Sequence, residues 1–436
     1  MYCAIDFGTS NSAVAVPDGV GGMRLVDLEG GQTTMPTAVF YGGDATDAGG
    51  PPQEFGRAAI AAYVDGLDGR LLRSMKSILG SDLVERTTDV GNGRGVRYLD
   101  IVAGYLRHLK QRAEAATGAP VRSAVLGRPV FFVDDDATRD AAAQRALHAA
   151  ARDAGFDDID FQYEPIAAAL DYERSVTREQ LVLVADIGGG TSDFALVRVG
   201  PERALAGDRR GDILASHGVH VAGTDFDRRI ALASILPEFG YRGLRPVPPG
   251  ETAREVPSAI YFDLATWHLV NTVYTPQRLS ELRQMRAFYA EPRHHARLVT
   301  VLAEHRGHEL LARAEAAKIA TAEGADARID LGAVETGLAV PLAARHAAEA
   351  LADDTARIVA AARQTVALAG VDAAAVDALY FTGGSTGLRL LKQRLAAAFV
   401  TAQPIDGDRD ASVARGLGLV AQRRAALRLA LGGAAA

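Results

Sequence analysis

One short pattern occurs twice in this chain: an apolar run ending in aspartate, a glycine-bearing turn with hydroxyl side chains, and a second apolar run. The first copy is Tyr2–Phe7, Gly8-Thr9-Ser10 and Ala13–Val16, and the second is Leu181–Ile187, Gly188-Gly189-Gly190 and Thr191–Val199. Each reads as strand, turn, strand. Aligned on their hydroxyls, Asp6-Phe7-Gly8-Thr9-Ser10-Asn11 parallels the segment from Asp186 to Asp193, with two extra glycines in the second copy. An internal duplication is the economical explanation, each half carrying a sheet whose first hairpin presents Asp, Gly and Thr/Ser at its tip.

Such tips suit phosphate. Glycines let the backbone approach closely, free N–H groups face the anion, and hydroxyls add donors. An aspartate at each strand end can hold hydrated Mg²⁺, which prefers one or two carboxylates plus waters and phosphate oxygens. A Walker A loop does not occur, and Gly188–Gly190 leads into a strand, so the glycines are not a dinucleotide fingerprint.

Between the copies, Tyr98 to Ala116 has helical apolar spacing and ends at Gly118, a C-cap position. Asp134–Asp136 precede an Ala-rich helix and read as capping acids. After Asp225 the chain reads as mostly helical to about Glu323, with a loop at Pro246–Pro249; Gly- and Pro-rich loops are expected at 42–52 and 91–95. His294, His295, His305 and His308 read as a solvated helix face rather than a metal site, and Trp267 as a core anchor. Net charge is −7, which gives no general attraction to nucleic acid or anionic membranes. The single cysteine excludes an intramolecular disulfide. Asp6 interrupts the first apolar run before it becomes a signal peptide, so the expected location is cytoplasmic.

Five blocks, in order, resemble the ATPase part of the heat-shock protein 70 (DnaK-type) family, within the actin-like ATPase superfamily: Ala4–Ser12, Tyr163–Ala169, Asp186–Asp193, Val221–Asp227 and Phe381–Thr386. The tract Tyr261–His268 suggests the short YegD-like branch. The resemblance implies an α/β, two-lobed actin-like ATPase fold with duplicated RNase-H-like domains and a central nucleotide cleft. Lobe I is expected at 1–180 with an inserted subdomain at about 30–97. Lobe II is expected at 181–436 with a helical insert at about 226–323. No hydrophobic linker or peptide-binding domain is expected, and hence no peptide-holding cycle in this chain alone. The implied function is slow ATP hydrolysis in a nucleotide-gated, chaperone-like switch, with ATP or ADP, Mg²⁺ and K⁺ as ligands and a protein client or co-chaperone as partner. A small-molecule kinase and an actin-like filament former are the alternatives.

Carried over by position, the resemblance implies metal-binding roles for Asp6, Asp186 and Asp193, and catalytic roles for Lys76, Glu164, Asp186 and Thr191. Gly8, Thr9, Ser10, Asn11 and Gly188, Gly189, Gly190 and Thr191 would cradle the phosphates. Gly223, Glu315, Lys318, Gly383, Gly384, Ser385 and Asp410 would line the nucleoside pocket, and Pro129 with Arg139 would form the family's interdomain relay, at a spacing two residues longer. On their own, Glu164 before Pro165 reads equally well as a helix-start acid, and Lys76 and Lys318 as surface lysines. Yet only four of the 47 basic residues are lysine, and two of these fall on motif positions.

Gly387 and Ile319 replace two arginines of the family pattern, one of which stacks on the base. A stacked guanidinium contributes roughly 0.5–2 kcal/mol. Gly387→Arg is therefore expected to tighten ADP by up to about thirtyfold in calorimetry, and unchanged affinity in a folded variant counts against the carried-over pocket.

Overall fold

The chain's apolar alternation sets up its sheets. In β1 (Tyr2–Phe7) the odd residues Cys3, Ile5 and Phe7 enter one buried cluster while Ala4 enters another, the period of two that points successive side chains to opposite faces. The computed structural model describes residues 1–43, 52–90, 93–204, 209–247 and 252–432; the loops expected at 42–52, 91–95 and 246–249 lie partly outside these residues.

The described residues form two compact units. The first comprises 1–222, 357–386 and 391–436, and the second 223–356 with 387–390. In the first unit, β1, β2 (Asn11–Pro17), β3 (Met23–Leu25), β4 (Ser123–Arg128) and β5 (Asp158–Tyr163) make one sheet in the order β5-β4-β1-β2-β3, with Thr34–Pro36 also paired to β2. A second sheet, from β6 (Gln180–Ile187), β7 (Ser192–Val199), β8 (Ile213–Val219), β9 (Ala378–Thr382) and β10 (Gln403–Asp406), has the order β10-β9-β6-β7-β8. The two sheets share one topology. In each, three antiparallel strands lead and two parallel strands follow on the far side of the first. This is the duplicated α/β architecture expected from the paired hairpins.

Register corrects the alignment of the two tips. Phe7 faces Ser12 and Ile187 faces Ser192, so each turn contains four residues and the copies match without a gap. Gly8 corresponds to Gly188, Thr9 and Ser10 to Gly189 and Gly190, and Asn11 to Thr191. Matching hydroxyl to hydroxyl had introduced two glycines that the hairpin geometry does not insert. The same register sets Asp186 opposite Asp193 but Asp6 opposite Ala13. The second hairpin thus supplies two carboxylates and the first only one.

Helices α1 (Tyr98–Thr117) and α2 (Ala137–Asp153) cover the Cys3/Ile5/Phe7 face of the first sheet. Gly118 ends α1 at φ 68°, its N–H returning to Glu114 O, and Asp136 caps α2 by accepting from Thr138 N and Arg139 N. Helices α3 (Glu164–Glu173) and α6 (Ser412–Gly432) share one apolar cluster with Ala4 and Ala15 of the first sheet and with Val182, Val184, Ala195 and Val197 of the second. The two helices cross closely: a Cβ on Gly416 would lie 1.8 Å from Ala167 O. A separate small sheet, Ala38–Gly42 with Gln53–Phe55 and Gly69–Arg73, packs its own cluster under helix Gly56–Val64.

The second unit is mainly helical, including α4 (Gly223–Ile230), Pro276–Gln284, Pro292–Ala303 and α5 (Gly307–Thr321), with a ribbon of Ala327–Asp330 and Ala339–Leu342. Two of the four histidines expected on a solvated face are instead buried. His295 Nε2 lies 2.8 Å from Leu282 O, and His308 packs beside Trp267. Their helices bury a wider apolar stripe than the histidine spacing suggested. Among the described residues, no helix is long and apolar enough to cross a membrane.

The crossing of α3 and α6 can be tested against an open helical glycine. Gly416→Ala is expected to destabilise by about 1–3 kcal/mol through overpacking. Gly104→Ala, within α1 and with nothing near a new Cβ, should stabilise by about 0.5–1 kcal/mol. Urea unfolding of both variants reads the two signs.

Candidate active site

Strand period and helix position bring five charged groups together. Asp6 lies two residues beyond Ala4, Asp186 two beyond Val184, and Asp193 two before Ala195, so all three occupy the sheet faces turned toward α3. Glu164 opens α3, directly ahead of Pro165, where the helix dipole favours a carboxylate. Lys76 sits on the short 3₁₀ turn Met75–Ile78, which Ser74 starts in the left-handed region at φ 57°. Its Nζ donates to Glu164 Oε1 at 2.5 Å, and Lys76 is only 6% exposed, so it is not a surface lysine. Glu164 is therefore both a helix-start acid and the partner of a buried cation.

Burial dominates the electrostatics. It pushes the Asp6 carboxyl up to about 7, reinforced by Glu164 and Asp410 and opposed by Lys76. Burial and Glu164 likewise push Asp193 up to about 7, although hydrogen bonds from Thr191 and from the Val130 amide pull it down. Asp186 is raised well above the usual carboxylate range by burial and then by Glu164, Asp6 and Asp193. Burial works against the Lys76 ammonium, but Glu164, Asp6 and Asp193 outweigh it and hold its pKa above the ordinary value. Four carboxylates thus share one ammonium. Among the described residues no three acidic, His or Cys side chains converge to ligate one ion by themselves. This donor set fits Mg²⁺, which takes one or two carboxylates and completes its shell with water and phosphate oxygens.

The two hairpin tips abut. A Cβ on Gly189 would lie 2.2 Å from Ser10 Oγ, and one on Gly190 would lie 2.6 Å from Thr9 Oγ1. The hydroxyl-bearing first tip fills the space that the bare second tip leaves. Gly188 N donates to Thr191 O at 3.0 Å to close the second turn, and Ser385 Oγ donates to Gly188 O at 2.6 Å. Gly383, at φ 83°, approaches the end of β6 so closely that a Cβ would lie 2.4 Å from Ile187 O. Gly383 N donates to Arg409 O, next to Asp410.

Sequence reasoning missed Thr37. Fully buried, it donates from Oγ1 to Gly8 O at 2.8 Å and from N to Ser10 O at 2.8 Å. It therefore ties the carbonyls of the first tip to the scaffold. No local motif marks a threonine that reaches back across about 30 residues of chain. Val130 was also missed: its amide donates to Asp193 Oδ1 at 2.6 Å. The expected relay residue Arg139 is exposed and donates to Gly80 O, whereas the carbonyl of Pro129 is held by Arg128.

Gly223, Glu315 and Lys318 come together within the second unit. Lys318 Nζ donates to Gly223 O at 3.2 Å and pairs with Asp227 at 2.7 Å, while Trp267 Nε1 donates to the other Asp227 oxygen at 3.0 Å. Burial raises the Asp227 carboxyl; Lys318 opposes the rise and Glu315 adds to it. Trp267 is thus a core anchor with a polar task as well.

A family model described as Hsp70 protein matches residues 2–240, just over half of the chain. The chain belongs to the Hsp70 family. This membership makes it a nucleotide-binding, chaperone-like ATPase domain of the actin-like superfamily, a class that works with adenine nucleotide and Mg²⁺. The matched stretch includes both hairpins and Lys76, Glu164, Asp186 and Asp193.

The raised carboxyls predict a pH dependence. An unfolded aspartate titrates near 3.9, whereas Asp6 and Asp193 titrate at about 7 in the fold. The folded chain holds the extra protons, so this contribution to stability is complete below about pH 4 and is lost as pH rises through about 7. In EDTA, Tm is expected to fall between pH 5.5 and 8, and Mg²⁺ should restore more of it at pH 8 than at pH 5.5. A Tm independent of both pH and Mg²⁺ would contradict the clustered charges.

Proposed function

We propose that this chain binds Mg²⁺–ATP, hydrolyses it slowly, and uses nucleotide state to switch between conformations that a protein client or co-chaperone reads. The observation that carries the reading is the buried Lys76–Glu164 pair within electrostatic reach of Asp6, Asp186 and Asp193, beside two abutting phosphate-type tips.

Asp6 and Asp186, with Asp193, are the residues that would hold hydrated Mg²⁺. When bound, the ion would offset phosphate charge and relieve the crowding of carboxylates. The backbone N–H groups of Gly8–Asn11 and Gly189–Thr191, with the hydroxyls of Thr9 and Ser10, bind the β- and γ-phosphates, while Gly188 N–H closes the second turn. An activated water attacks the γ-phosphorus as the bond to the β–γ bridging oxygen breaks, and its proton passes to a carboxylate of the cluster. Glu164 and Asp193 orient that water, Thr191 holds Asp193 by a hydrogen bond, and Lys76 offsets charge on the γ-phosphoryl oxygens. Phosphoryl transfer asks for positioning and charge stabilisation more than covalent chemistry, and this cluster supplies both.

Lys76 gives the sharpest test. A lysine is a compact point charge, whereas arginine is planar and wider, so it does not fit a pocket built around one ammonium–carboxylate contact. Lys76→Ala and Lys76→Arg are both expected to keep ADP affinity within a few-fold while slowing single-turnover hydrolysis by about 10²–10³. Near-normal hydrolysis in Lys76→Arg would remove the catalytic assignment.

A further inference from the structure

Arg128 ends β4 and is 8% exposed, an unusual depth for a guanidinium. Its Nε donates to Pro129 O at 2.9 Å, and its Nη2 donates to Val130 O at 3.0 Å. The same Nη2 meets both Asp140 oxygens at 3.0 and 3.1 Å, and Nη1 donates to Gln144 Oε1. Asp140 Oδ1 also accepts from Phe132 N at 2.6 Å, so Arg128 and α2 together hold the whole 129–132 segment. The guanidinium carbon lies 5.1 Å from the Phe132 ring centre and 5.2 Å from that of Tyr163.

Both directions lead to the cluster. The Pro129–Val130 peptide, whose carbonyl Arg128 Nε holds at 2.9 Å, donates from its amide to Asp193 Oδ1 at 2.6 Å. Tyr163, whose ring the guanidinium also approaches, immediately precedes Glu164 at the start of α3. A planar fork of fixed donors suits this work because it restrains two successive carbonyls in one set geometry, which the rotatable donors of an ammonium do not impose. Arg128 reaches no tip of the phosphate hairpins itself. We propose that Arg128 is a positioning residue for ATP hydrolysis: it fixes the Val130 amide so that Asp193, and with it Glu164, stays aimed at the attacking water. This rests on the function proposed above.

The test compares Arg128→Met, the milder Arg128→Lys, Asp193→Asn and the double variant Arg128→Met/Asp193→Asn. Arg128→Met is expected to slow single-turnover ATP hydrolysis by about 10–100-fold, the scale of a small misplacement, with ADP affinity within threefold; Arg128→Lys should recover part of the rate. The double variant should be no slower than Asp193→Asn alone, because the arginine acts through that carboxylate. Additive losses in the double variant, or wild-type turnover in Arg128→Met, would overturn the proposal. Selective ¹⁵N-valine labelling gives a readout independent of turnover. The Val130 amide proton should lie far downfield in the wild type and move upfield in Arg128→Met; an unmoved resonance also overturns it. A wild type without ATP turnover would overturn the proposed function instead, while the Val130 resonance still reports whether Arg128 holds the peptide.

Discussion

Four carboxylates crowd around one ammonium in this protein, and much of the surrounding structure serves to keep them there. Burying an unpaired charge costs several kcal/mol even after relaxation. The chain meets that cost in three ways. Lys76 is paired with Glu164 at 2.5 Å, Asp193 accepts a backbone amide and a threonine hydroxyl, and Asp6 and Asp193 rise to about 7 so that protons or a cation neutralise them. The last of these gives the cluster its affinity for protons or a cation.

The duplicated sheets explain how so few elements achieve this. Both β1 and β6 carry an aspartate as their next-to-last residue, on the face toward α3, and α3 itself begins with Glu164. A single helix start therefore meets carboxylates from two sheets. The duplication is imperfect in a useful way. Thr9 and Ser10 face Gly190 and Gly189, so one tip supplies hydroxyls and the other supplies room. Ala13 takes the position that Asp193 occupies in the second hairpin, which limits the charge that must be offset.

The supporting residues lie outside the motifs. Thr37 anchors the carbonyls of the first tip, Ser385 takes the same duty for the second, and Arg128 holds the Pro129–Val130 peptide that restrains Asp193. Each works through a backbone group of another segment. Such contacts cost little sequence specificity, since hydroxyl and guanidinium donors can address any carbonyl.

By itself the sequence determined the two hairpins, their aspartates and glycines, and the helix ends at Gly118 and Asp136. These are local: strand alternation, capping and turn chemistry act within a few residues. Tertiary structure alone decided the gapless register of the second tip, because only the ladder counts residues across a turn. It also decided that His295 and His308 are buried, since a histidine's exposure depends on what packs over its helix. The depth of Lys76, the rise of the aspartate carboxyls and the task of Arg128 belong to the same class. Burial and electrostatic coupling are sums over groups brought together from distant parts of the chain, and no local pattern contains that sum.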